Sequence, residues 1–102
     1  MIRVVVFVTA KPGHREELLT ALRANLPAVR AEQGCIEYGP VVDVEGFGGR
    51  QTAIGPDSIV ILESWESVEA LKAHMAAPHM AAYAAKTKDL IASRALHILT
   101  PG

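Results

Sequence analysis

Val4-Val5-Val6-Phe7-Val8 is a run of five apolar residues between Arg3 and Thr9. Successive side chains of a strand point to opposite faces, so Val4, Val6 and Val8 face one way and Val5 and Phe7 the other. The stretch 58–65 repeats the pattern, with Ile59, Ile61 and Trp65 set against Val60 and Leu62. A sheet built on these strands is apolar on both faces. Helices on one side leave the other bare, and a bare apolar face of that size marks an interaction surface. The expectation is a homodimer in which two sheets pack face to face.

The rest of the chain supplies elements for such a sheet. Residues 2–9 form the first strand, punctuated by Lys11-Pro12-Gly13. Between 14 and 32, Leu18, Leu22, Leu26 and Val29 recur at helical spacing, and Glu16 and Glu17 put negative charge in the first turn, where the helix dipole favours it. Pro27 predicts a kink or break near Asn25 or Leu26, and Gln33-Gly34 closes the element. A second strand at 35–44 carries Ile36, Tyr38, Val42 and Val44, and Gly39-Pro40 either weakens its middle or places it at an edge. Residues 45–57 hold Gly46, Gly48, Gly49, Gly55 and Pro56 and read as a long loop of the kind that serves as a lid or mobile segment. After the third strand at 58–65, Ser67 caps a helix running to Met75. Pro78 opens a further segment with Met80, Tyr83, Thr87, Leu90 and Ile91 down one side, and residues 94–100 form the last strand. The order βαββαβ predicts a ferredoxin-like α+β fold, a four-stranded antiparallel sheet with helices on one face, as a single domain over 1–102.

Charge and cysteine content exclude several function classes. Ten Lys or Arg against eleven Asp or Glu give a net charge of −1, with no positive field for nucleic-acid phosphates or anionic lipid. An RNA-recognition module shares this element order, but the Lys/Arg-Gly-aromatic-Gly pattern is absent. Cys35 is the sole cysteine and has no intramolecular disulfide partner. A five-residue apolar run is too short for a signal peptide or a membrane span, so a cytoplasmic location is expected.

Candidate chemistry concentrates in the second half. His74 and His79 flank a helix break at Met75-Ala76-Ala77-Pro78 and could converge on one cavity. On an unbroken helix five residues would set them roughly 140° apart, which is not the same-face spacing of a zinc helix. With one Cys and no His-Glu-x-x-His pattern, no metal site is expected. Each His is either an exposed or capping residue or an acid–base group working near neutral pH. Trp65 either packs in the core or offers a stacking wall to a flat ligand. Glu63 shares its side of the strand, and burial there would raise its pKa. Tyr83 follows His79 by four residues on the same helical face, within reach of a substrate oxygen. Tyr38 and Glu37 point to opposite faces, so at most one reaches a given cavity. His14 and His97 look structural or exposed. Cys35 lacks a basic partner and reads as a small buried hydrophobe, and Gly46-Phe47-Gly48-Gly49 lacks the Gly-Lys-Ser/Thr of a phosphate loop.

Taken together, Lys11-Pro12-Gly13, the stretch Arg30 to Tyr38, Glu63-Ser64-Trp65-Glu66-Ser67, Ala70-Leu71, His74 and His79-Met80 resemble the antibiotic biosynthesis monooxygenase family of dimeric α/β barrels, especially its small quinol monooxygenases. The resemblance implies a cofactor-independent oxygenase that uses molecular oxygen on a hydroquinone, an anthrone or a similar flat aromatic. It also implies a homodimer and a pocket between sheet and helices. In that frame His74 or His79 is the base, Tyr83 the oxygen donor and Trp65 the stacking wall, with Glu63 and Tyr38 as further substrate contacts. The chain departs from haem-degrading relatives, because its first strand has no Asn and Tyr83 stands where they carry the axial His. A non-catalytic small-molecule-binding or stress-response protein is the rival reading, since fold alone does not choose a reaction.

Overall fold

The computed structural model describes residues 1–102. Its elements are β1 (Ile2–Ala10), α1 (Arg15–Arg30), β2 (Cys35–Val41), β3 (Ser58–Trp65), α2 (Val68–Met75), α3 (Pro78–Thr87) and β4 (Ile91–Leu99), with a 3-10 turn at Lys88–Leu90. The strands form one antiparallel sheet in the order β2-β3-β1-β4, which is the ferredoxin-like arrangement. β1 and β3 are central and pair from Ile2↔Trp65 to Thr9↔Ser58. That register places Val4, Val6 and Val8 beside Glu63, Ile61 and Ile59, and all six are buried. Leu18, Leu22 and Val29 of α1 and Leu71 of α2 close the core over this face. The opposite face carries no helix: Phe7 is 44% exposed and Leu62 37%, whereas Val60 and Ser64 on it are buried, and the Phe7 and His97 rings meet edge-on with centroids 5.8 Å apart.

Four boundaries differ from the sequence reading. α1 continues through Pro27 to Arg30 instead of breaking, because burial of Val29 anchors the final turn and Ala31 N–H donates to the Pro27 carbonyl at 3.1 Å. β2 ends at Val41, and Val42 and Val44 are exposed. Its pairing with β3 alone makes it an edge strand, where Pro40 is tolerated. The last helix stops at Thr87, short of Leu90 and Ile91, and β4 begins at Ile91 rather than 94. The sheet wins there: Lys11 N–H donates to the Leu90 carbonyl at 2.8 Å, and Ala10 pairs with Ile91 across a register shift.

Two local devices hold the connections. Asp43 gathers the long loop, its carboxylate accepting from the Ile54 and Gly55 N–H groups at 3.0 Å each and from Gln51 Nε2 at 3.3 Å. Those backbone donors hold the Asp43 carboxyl below its ordinary pKa. Gly34, with φ +84°, turns the chain from α1 into β2 beside the start of α2. A Cβ at Gly34 would lie 2.6 Å from Ala70 Cβ. Gly34→Ala therefore combines left-handed strain with overlap, and its expected cost is roughly 1–3 kcal/mol. A fall in the urea midpoint with unchanged denaturant slope checks this.

Candidate functional site

Between α3 and the sheet lies an open cavity of about 630 Å³. Its origin is compositional. α3 turns Ala81 and Ala84 to the cavity, so it brings little side-chain volume to the sheet, and Thr87 is its one buried residue. The helix is held to α1 by Met80, whose sulfur accepts from Asn25 Nδ2 at 3.4 Å. Most of the residues lining the cavity are apolar, among them Val6, Val8, Leu18, Ile61 and Leu96. The few polar side chains in its wall therefore fix what it can orient. They include Tyr38, Glu63, His74, Tyr83 and Arg94.

Four of the six residues singled out from the sequence, Tyr38, Glu63, His74 and Tyr83, meet in this wall. Trp65 and His79 lie outside it. Trp65 is fully buried, its indole N–H donating to Glu63 Oε1 at 2.9 Å and its ring tilted against His74 with centroids 4.6 Å apart. It therefore supports the wall from behind. His79 is partly buried, and neither ring nitrogen has an aligned hydrogen-bond partner. Its Nε2 is nevertheless 3.2 Å from Glu32 Oε2. The same carboxylate oxygen takes a hydrogen bond from His74 Nδ1 at 2.7 Å. His14 is exposed and pairs with Glu17, and Cys35 is half-buried with its thiol pKa raised chiefly by burial.

Tyr38 reaches the cavity through an irregularity in β2. Cys35 pairs with Trp65 and Glu37 with Ser64, so Ile36 is an extra residue bulged outward, 54% exposed. Beyond the bulge Tyr38 pairs with Glu63 and turns inward, while Glu37 is exposed. Arg30 Nε fixes the strand there by donating to the Tyr38 carbonyl at 3.1 Å. The sequence reading missed two residues, Glu32 and Arg94. No local spacing links Glu32 to a histidine 42 positions away, and Arg94 is found only through the β1–β4 register, opposite Val8.

The electrostatics follow from burial. Glu63 is 5% exposed, and desolvation raises its pKa, opposed by the Trp65 hydrogen bond and by His74 and Arg94. Burial pushes the Tyr38 phenol strongly up, with the Glu63 carboxylate adding to the effect. Tyr83 is also raised by burial, partly offset by Arg94. Both phenols thus stay protonated and can donate. No group of three or more His, Cys, Asp or Glu side chains is arranged to hold a metal ion.

A ferredoxin-like sheet with an apolar cavity on its helix side and a histidine–carboxylate pair beside it defines the class as a small α+β protein of ferredoxin-like fold. The sequence profile described as antibiotic biosynthesis monooxygenase matches residues 1–86, and the chain belongs to that family. It is 38% identical over 104 aligned positions to "Probable quinol monooxygenase YgiN" of Escherichia coli K12, covering 100% of this chain and 99% of that protein. Among solved structures, PA3566 from Pseudomonas aeruginosa superposes with a TM-score of 0.81 at 25% identity, over 98% of this chain and 92% of that one. Rv0793 from Mycobacterium tuberculosis gives 0.79 at 27% identity, over 98% and 93%. No helix is long and apolar enough to cross a membrane.

Glu63 supplies a pH test of this geometry. With its folded pKa raised above the ordinary 4.5, the folded chain holds a proton that the unfolded chain has already lost. That contribution is complete below 4.5 and is lost as pH rises through the folded value. In urea melts at several pH values, the stability of wild type relative to Glu63→Gln should fall across that window and level off above it.

Proposed function

We propose that this protein is a cofactor-independent monooxygenase acting on a hydroquinone, an anthrone or a similar flat aromatic with molecular oxygen. The observation that carries the reading is His74, a buried imidazole in the wall of a largely apolar cavity, with one ring nitrogen engaged and the other left for a substrate proton. Family membership and the similarity to YgiN support it.

The reaction asks little of the protein beyond a base, donors and a dry cavity. His74 takes a proton from the bound phenol or from the anthrone carbon. The resulting anion passes one electron to oxygen, giving a substrate radical and superoxide held together by the cavity walls. Their recombination forms a C–O bond as a peroxide. Cleavage of its O–O bond leaves one oxygen atom on the ring and releases the other as water, so a hydroquinone yields a hydroxyquinone and an anthrone an anthraquinone. Tyr83 and Tyr38 donate to the substrate oxygens, and the Arg94 guanidinium offsets the negative charge of the anion. Trp65 holds Glu63 and His74 in place and makes no substrate contact. His79 is a neighbour of the base.

The bare sheet face supports a second part of the reading, a homodimer closed over Phe7 and Leu62. Sedimentation equilibrium at micromolar concentration should return twice the chain mass, and Phe7→Glu should return one. For the chemistry, oxygen uptake with menadiol and with an anthrone, corrected for autoxidation, should exceed background and fall about 10²–10⁴-fold in His74→Ala. Loss in His79→Ala should be smaller. Ligand binding without turnover by wild type would instead favour a non-catalytic binding protein.

A further inference from the structure

Glu32 is placed where local helix energetics do not want it. It follows α1 by two residues, with its N–H donating to the Val29 carbonyl at 3.0 Å, so its charge stands against the negative end of the helix dipole. Its nearest polar side-chain groups are two imidazoles from different helices. One carboxylate oxygen lies 2.7 Å from His74 Nδ1 on α2 and 3.2 Å from His79 Nε2 on α3. The two rings are 6.4 Å apart across the break between those helices. Three segments distant in the chain thus converge on one oxygen atom.

An ionised carboxylate only accepts hydrogen bonds, so the bond to His74 requires a proton on Nδ1. A neutral imidazole carries one ring proton, and placing it on Nδ1 leaves the Nε2 lone pair free. Once Nε2 gains a proton, Glu32 faces an imidazolium in a buried site and stabilises it. His79 has no other aligned partner, and a small ring rotation turns its 3.2 Å approach into a second hydrogen bond to the same oxygen. We infer that Glu32 is the positioning residue of this site: it fixes the tautomer and orientation of His74 and is itself steadied by His79. The role in catalysis rests on His74 being the base proposed above, whereas the tautomer does not.

The test is long-range ¹H–¹⁵N correlation spectroscopy of ¹⁵N-histidine-labelled full-length protein, followed with pH. Glu63 on β3, Tyr38 and Cys35 on β2, Arg30 on α1, His79 and Tyr83 on α3 and Arg94 on β4 are the other titratable or charged groups around the pair, and Glu63→Gln removes the carboxyl group whose charge couples to His74. In wild type above the histidine titration, His74 should show a protonated Nδ1 and a lone pair on Nε2. In Glu32→Gln the carboxamide can present its NH₂ to Nδ1, and the ring proton should move to Nε2. Oxygen uptake should then fall about 10²–10⁴-fold in kcat with KM little changed, as expected for a misplaced ring proton. Glu32→Asp should restore the Nδ1-protonated form in part. A wild-type His74 protonated on Nε2, or an unchanged tautomer in Glu32→Gln, would overturn the inference. The wild-type spectrum decides the matter even if Glu32→Gln does not fold. The expected tautomer without any oxygen uptake would sink the proposed reaction and leave the assignment of Glu32 standing.

Discussion

Three helices cover a four-stranded sheet that is apolar on both sides, and the shortage of covering surface shapes everything else in the molecule. α1 and α2 bury the inner faces of β1 and β3 with Leu18, Leu22, Val29 and Leu71. What remains for α3 is the strip beyond, towards β4, and its alanines leave that strip unfilled. An ordinary core at this position would close with larger side chains, since interiors pack to crystal-like density. Here the missing volume is the cavity. The outer face of the sheet has no helix at all, so the same shortage produces both the pocket and the uncovered face.

Polar groups in and behind the cavity wall form a linked series. Trp65 donates to Glu63, the Trp65 ring lies against His74, and His74 donates to Glu32 beside His79. Each member is costly to bury alone and is supported by the next. Tyr38 and Tyr83 retain their protons because burial desolvates the phenols, and Arg94 in the same wall is the positive counterweight.

Much of this was legible in the sequence because it is local. Period-two alternation in 4–8 and 59–65 gave the central strands and their two apolar faces, and the spacing of Leu18, Leu22 and Val29 gave the buried face of α1. The pairing of Glu63 with Trp65 follows from the same alternation. Pro27 misled because its local penalty is outweighed by burial of Val29 two residues later. The end of α3 misled because Leu90 and Ile91 fit a helical stripe, while strand pairing with Ala10 and Lys11 decides their conformation. Glu32 and Arg94 were invisible for a related reason: their roles exist only once segments distant in the chain have met.

The outward bulge at Ile36 carries a consequence for how such a site can change over time. A strand assigns its side chains to two faces by counting, and one extra residue resets the count for all that follow. Here the reset turns Tyr38 towards the cavity and leaves Glu37 outside. If the bulge were smoothed into regular pairing with every residue kept, alternation from Cys35 would carry Glu37 inward and Tyr38 outward, exchanging a phenol for a carboxylate in the wall of the pocket. Deletion of Ile36 itself would instead leave Tyr38 opposite Glu63. The bulge is thus a phase setting for the edge strand, a local choice of backbone path that decides the chemistry of the pocket with the rest of the sheet intact.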